Sequence, residues 1–223
     1  MGQRFITCQV EQLENKGQYA LIKLRSPEPL KQMPGQYTML RYTDTIVKPY
    51  SIASSPNDEG LIEICAIVSE DPTIKKILSQ KTQDLTLDIS EPAGNFEIPK
   101  ADKTASFLAG GSGISPLRSM IKWRLPETKK PTTLIFGCQS ALGIPYLEDF
   151  QSLAREYTQF HFHPIASEDD LIGVKQGNVL DILKSQPEAD EYFLCGPKGM
   201  IEAANRFLIN KGISEDLIFT DKY

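Results

Sequence analysis

The sequence predicts two domains: an antiparallel β-barrel over residues 1–99, then an open parallel α/β sheet over residues 100–223. Three observations predict this. A chain of 223 residues is long for one core and right for two modest domains. The first hundred residues fall into short runs rich in β-branched and aromatic residues, separated by turn-forming Pro, Gly, Asn and Asp. Beyond residue 100, short apolar runs alternate with helical patterns, which implies parallel strands joined by right-handed crossovers.

In the first half, "RFITCQVEQLE", "YALIKLRS", "GQYTMLRYT", "GLIEICAIVS" and "DLTLDISEP" read as strands, several of them with period-two alternation. "SPEPLKQMPGQ" and "SSPNDEG" are turn-rich separators. Strands at this spacing suit a small barrel. "DPTIKKILSQ" interrupts them as a helix, with Asp71 or Thr73 as its cap and Ile74, Ile77 and Leu78 on one face. In the second half, "ASFLAG" is a fully buried parallel strand, followed by "GSG" and the helix "ISPLRSMIKWRL", with Ser115 as its expected N-cap and Pro116 in its first turn. Then come the strand "TTLIFGC", the helix "YLEDFQSLAREY" and the strand "QFHFHPIAS". The helix "GNVLDILKSQ", the strand "DEYFLCG", a helix ending at Gly212 and a final strand "LIFTDKY" complete the chain.

Composition excludes several classes of function. Apolar content of 40% and charged content of 24% fit an ordinary soluble globular protein. A net charge of -5 argues against nucleic acid as the main partner. No apolar run approaches the ~20 residues of a membrane span, and "MGQRFITCQV" carries no signal core, so a cytoplasmic location is expected. Cys8, Cys65, Cys138 and Cys195 form no C-x2-C pair, so no metal cluster is expected. His161 and His163 share one strand face and read as structural.

Three stretches carry chemistry. "KPYSIASSP" puts a cation, an aromatic ring and a hydroxyl within Lys48–Ser51, around Pro49. "LAGGSGISPL" leaves a strand through Gly110, Gly111, Ser112 and Gly113 and enters a helix. That turn is either a phosphate cradle, with backbone N–H groups at a helix start, or a tight strand-to-helix corner. "YFLCGPKGM" ends a strand at Cys195, Gly196 and Pro197, on the same sheet edge as Gly110, where open parallel sheets bind ligands. Taken alone, Cys195 reads as a small buried hydrophobe.

"PGQY", "KPYS", "GGSGISP", "CGP" and "FTDKY", in this order across essentially the whole chain, resemble the ferredoxin–NADP reductase family of flavin oxidoreductases. The resemblance implies a flavin-binding barrel and a pyridine-nucleotide domain, with FAD (or FMN) and NADH (or NADPH) as cofactors. It implies that Lys48 meets the flavin phosphate, Tyr50 packs on the flavin and Ser51 hydrogen-bonds near N5. It makes Cys65, Ala66, Ile67 and Val68 backbone flavin contacts. Ser112 then serves the nucleotide pyrophosphate, Cys195 lies against the nicotinamide, and Asp221 and Tyr223 stand close to the reaction centre.

Some positions depart from that pattern. Lys48 replaces the usual Arg and cannot form its bidentate fork. The stretch "SEDPTIKKIL" lacks the family's Gly-x-x-Ser phosphate site, leaving Thr73 as the substitute and Asp71 as an unfavourable neighbour unless it points away. Gln139 is neutral, Ser140 is positioned to touch a 2′-phosphate, and Glu168, Asp169 and Asp170 would repel one, which favours NADH. The expected activity is hydride transfer from NADH to FAD, with electrons passed to a ferredoxin, an oxygenase component or another separate acceptor. The alternatives are a reductase of free, dissociable FMN, FAD or riboflavin, and a non-catalytic nucleotide-sensing or electron-transfer subunit.

Overall fold

Among the described residues, twelve strands divide into two six-stranded sheets that meet at one helix. The computed structural model describes residues 4–58, 60–69, 71–98, 102–141, 144–168 and 172–222. The first sheet contains β1 (Phe5–Lys16), β2 (Tyr19–Arg25), β3 (Tyr37–Arg41), β4 (Val47–Ser51), β5 (Leu61–Ile67) and β6 (Thr86–Ser90). Its order is β4-β3-β6-β1-β2-β5, and every pairing is antiparallel. An antiparallel bridge between Ile52 and Ile64 joins the two outer strands.

Alternation builds this core. Along β1, Ile6, Cys8 and Val10 turn inward while Thr7 and Gln9 face water. Cross-strand partners are matched in kind: Ile6 and Leu40 both sit opposite Ile89, and Ile22 sits opposite Ile64. Helix α1 (Pro72–Leu78) closes one end of the barrel with Ile74 and Ile77, and Asp71 caps it by accepting the Thr73 N–H at 2.9 Å.

β4 is a strand that the sequence pattern did not announce. Its hydrogen-bonding partner is β3, so the missing N–H of Pro49 falls on an outer strand of the ladder, where proline is tolerated.

The second sheet is parallel: β7 (Ala105–Gly110), β8 (Thr132–Cys138), β9 (Phe160–Ala166), β10 (Lys175–Gln176), β11 (Glu191–Gly196) and β12 (Ile218–Lys222), in the order β10-β9-β8-β7-β11-β12. β7 is central and has β8 on one side and β11 on the other, so the order reverses at its tip. β7 and β11 are buried at every position, which explains their unbroken apolar runs. Phe193 stacks on Phe107 and on Phe219, with ring centroids 4.9 Å apart in both pairs. These contacts fix β12 against β11, so that Asp221 lies in register with Cys195.

The helices are α2 (Ile114–Arg124), α3 (Leu147–Glu156), α4 (Val179–Ser185) and α5 (Lys198–Asn210). The expected Ser115 cap is corrected. A short 3-10 turn, Gly111–Gly113, runs directly into α2, so Gly113 holds the cap position and Ser115 lies inside the first turn. Gly212 follows α5 with φ +92°, a left-handed stop that favours glycine. Among the described residues, no helix is long and apolar enough to cross a membrane.

The sheets are tied together through α2. Arg118 donates to the Ala53 carbonyl at 2.7 Å and to Glu63 at 2.5 Å on the barrel, and to Asp149 at 2.7 Å on its own side. Its guanidinium stacks 4.2 Å from the Tyr146 ring centroid. Ser119 donates to the Ser54 carbonyl at 2.6 Å, and Lys122 pairs with Asp58 at 3.0 Å. The second half of "KPYSIASSP" thus docks the barrel onto the parallel sheet.

Candidate active site

A cavity of about 380 Å³ lies where the two sheets meet. This is within the about 300–1,000 Å³ typical of small-molecule sites. From the barrel come Tyr37 on β3, Lys48 to Ser51 on β4, Cys65 to Ile67 on β5, and Asp71. From the parallel sheet come Ser112, Ser115 and Asp221. The stretch Lys48–Ser51 and the tip of β12 therefore share one cleft. A second cavity, about 550 Å³, opens over the carboxyl edge of the parallel sheet, lined by Gly110, Gly111, Gly137, Gln139, Ser167, Pro197 and neighbours. It lies at the tip of β7, the point where the strand order reverses.

The polar network of the first cavity is tightly connected. Lys48 Nζ lies 2.9 Å from Asp71 Oδ2. The same oxygen accepts the Tyr50 hydroxyl at 2.5 Å, and Tyr50 and Tyr42 share a hydrogen bond of 2.6 Å. Burial by itself would raise the Asp71 carboxyl, but hydrogen bonds from Tyr50, Lys48 and the Thr73 N–H outweigh it and hold it at about 2. Burial, followed by the hydrogen bond to Asp71, raises the Tyr50 phenol above its ordinary value. Burial pushes the Cys65 thiol up to about 12, so at neutral pH it is an uncharged part of the wall.

Close approach of neighbouring chain explains three of the four glycines at these strand tips. A Cβ on Gly113 would lie 2.4 Å from the Cys195 carbonyl oxygen. On Gly196 (φ +148°) it would lie 2.8 Å from the Gly110 carbonyl oxygen, and on Gly110 2.7 Å from Pro197 Cδ. These three glycines let the tips of β7 and β11 pack together. Gly111 differs: its φ of +57° favours glycine, and the nearest contact to a Cβ there is the Tyr19 hydroxyl at 3.8 Å. Of the four, it is the one whose missing side chain leaves open space, and it lines the second cavity.

The other anticipated positions divide. Val68 packs on the barrel core and donates its N–H to the Gln18 carbonyl. The Thr73 N–H is committed to Asp71. Ser112 faces the first cavity rather than the second. The Ser140 carbonyl accepts the Cys138 thiol at 3.1 Å. Val68, Thr73, Ser140, Cys195, Gly196 and Gly113 are not among the residues lining either cavity. Cys195 is fully buried behind the wall, and desolvation raises its thiol well above the ordinary range. Glu168 accepts a 2.6 Å hydrogen bond from Gln139, a residue of the second cavity. Asp169, Asp170 and Tyr223 lie outside the described residues.

Sequence reasoning missed Ser115, Tyr37 and the pairing of Lys48 with Asp71. Ser115 is the most informative of these. Its hydroxyl is buried in the cavity wall with no hydrogen-bond partner among the described residues. A buried hydroxyl without a partner is costly and points to a polar ligand at that place. A flavin fits the donor set: an aromatic side chain, aliphatic strand edges, and the Ser51 and Ser115 hydroxyls for the polar rim of a ring system. A dinucleotide fits the second cavity, where Gly111 admits close backbone approach.

Comparison with known proteins agrees on both halves. Residues 9–98 match the oxidoreductase FAD-binding domain, and residues 107–206 match the oxidoreductase NAD-binding domain. Protein RfbI of Salmonella typhimurium is 27% identical over 218 residues, covering 93% of this chain and 64% of its own length. The phenol hydroxylase P5 protein of Acinetobacter pittii is 29% identical over 213 residues, covering 91% of this chain and 60% of its own length. This chain thus spans less than two thirds of the length of those relatives. The crystal structure of the Amycolatopsis cytochrome P450 reductase GcoB shares the fold, with a TM-score of 0.85 at 22% identity, over 98% of this chain and 69% of that one. Both domain matches, in this order and on this fold, make the chain a member of the ferredoxin reductase-like family of FAD- and NAD-binding oxidoreductases.

Proposed function

We propose that this chain takes hydride from NADH onto FAD in the cleft between its domains, residues 1–99 and 100–223, and passes electrons to a separate acceptor protein. One observation carries the reading: Ser51 of the barrel and Asp221 of the parallel sheet line one cavity. Flavin, when bound, supplies a hydride acceptor that releases electrons singly or in pairs. The protein's part is to bind, orient and exclude water.

In this reading Tyr50 and the edge of β5 hold the ring system. The Ser51 and Ser115 hydroxyls bond its polar rim, and Ser51 serves the hydride-accepting edge. Gly111 and the tip of β7 hold the dinucleotide, and Asp221 stands beside the meeting point of the two rings. Glu168 next to Gln139 favours a free ribose hydroxyl, hence NADH. Relatives named as a phenol hydroxylase protein and a cytochrome P450 reductase support an electron-transfer partner, such as an oxygenase component, as the acceptor class. A supply of NADH makes the cytoplasm the proposed compartment.

A second reading, reduction of free flavin, is favoured by the Lys48–Asp71 pair, which weakens the hold on a flavin phosphate. Purified protein separates the two. Yellow colour that survives gel filtration supports a resident FAD. Colourless protein that reduces added riboflavin or FMN with NADH supports the second reading. Absence of flavin reduction by either nucleotide under anaerobic conditions would contradict both and point to a non-catalytic role.

A further inference from the structure

Among the described residues, the wall of the first cavity carries one cation and two carboxylates: Lys48, Asp71 and Asp221. The oxidised flavin ring system is neutral, whereas FMN and FAD add phosphate charge. A phosphate in this cavity needs a cation with donors to offer. Lys48 already has a partner. Its ammonium lies 2.9 Å from Asp71 Oδ2, the oxygen that also accepts the Tyr50 hydroxyl at 2.5 Å. The other oxygen, Oδ1, accepts the Thr73 N–H at 2.9 Å, and the side chain is 7% exposed. Both oxygens are held, so the carboxylate cannot turn away from Lys48 without giving up the helix cap and the tyrosine.

An internal anion thus takes the charge that a flavin phosphate would use, and it would repel a phosphate brought close. We infer that Asp71 is a specificity-determining residue: it stands in for the flavin phosphate, so the cavity draws its affinity from the flavin ring system and gains little from the phosphate tail. FAD then enters by its rings and is held about as loosely as phosphate-free riboflavin. This rests on the flavin reading of the cavity under the proposed function.

The test is quenching of flavin fluorescence by the whole chain, titrated with riboflavin, FMN and FAD, for the wild type, Asp71→Asn and Asp71→Ser. Asn and Ser both keep capping chemistry while removing the charge. The wild type is expected to bind the three flavins within roughly fivefold of one another, since Asp71 already neutralises the Lys48 charge that a phosphate would use. Removing the charge should raise the FMN-to-riboflavin affinity ratio roughly tenfold, a gain that falls with added salt. Adding Lys48→Met to Asp71→Asn should abolish that gain. A wild type that binds FMN and FAD far more tightly than riboflavin would overturn the inference, as would a ratio unmoved in both variants. If neither variant folds, the wild-type ratio alone decides. Failure to bind any of the three flavins overturns the flavin reading and the inference with it; binding with an unmoved ratio overturns the inference alone.

Discussion

Arg118 of the parallel-sheet domain donates to Glu63 of the barrel at 2.5 Å, and this contact positions the wall of the cleft. Glu63, Cys65 and Ile67 project from the same face of β5, because strand side chains alternate. Two of them, Cys65 and Ile67, line the first cavity. The residue that locks the domains therefore grips the strand that shapes the first cavity. Burial opposes the Arg118 charge, yet Tyr146, Glu63 and Asp149 around it raise its pKa, so it stays a cation at all working pH values.

Replacing Arg118 with Met removes the cation that Glu63 and Asp149 share. Breaking a buried pair from one side costs about 3–5 kcal/mol. Urea unfolding of Arg118→Met should show a loss of that order, with Arg118→Lys recovering only part. A loss below about 1 kcal/mol would show that the domain junction does not depend on this residue.

Ser51→Ala should slow flavin reduction by NADH by roughly a hundredfold, in line with removal of a single positioned donor. Flavin affinity should change by no more than a few-fold, because the ring system keeps its apolar contacts. Rapid-mixing kinetics on anaerobic protein separates the two quantities. An unchanged reduction rate would remove Ser51 from the reaction centre.

Glu168→Arg should raise the NADPH-to-NADH ratio of kcat/KM by roughly tenfold, through loss of a repulsive charge and gain of a phosphate partner. Its hydrogen bond to Gln139 places it beside the second cavity. Steady-state kinetics with both nucleotides checks this. An unmoved ratio would mean that the ribose lies elsewhere.

Asp71 also sets a pH dependence. Its folded value of about 2 is below its ordinary 3.8, so its contribution to stability is fully present above about pH 4. The contribution fades as pH falls towards 2, and amounts to about 2 kcal/mol. Asp71→Asn should therefore lower stability at neutral pH and flatten its decline between pH 4 and 2. Parallel curves for the two proteins in that window would contradict the Lys48–Asp71–Tyr50 network.

What was legible in the sequence followed from local pattern. Residues 105–110 and 132–138 coincide with β7 and β8, because interior parallel strands write unbroken apolar runs. β4 hid behind a lysine and a proline that only an outer strand accepts. β10 is two exposed residues, with no pattern to read. Ser115 has the chemistry of a cap, and only the 3-10 turn ahead of it moves it into the helix, where its hydroxyl is buried without a hydrogen-bond partner among the described residues. The glycines were legible as special, but their reason lay in a strand some 80 residues away: Gly113 clears the carbonyl of Cys195. The pairing of Lys48 with Asp71 and the grip of Arg118 on Glu63 depend on tertiary folding, which no local window contains.

The central claim is that two domains bring a nicotinamide and a flavin together in one cleft. The most direct measurement is the absorbance of FAD-loaded protein mixed anaerobically with NADH, and with NADH deuterated at the transferring position. The account predicts bleaching of the flavin band at a rate that saturates with NADH and slows on deuteration. A flavin band unchanged by NADH and by NADPH would contradict it.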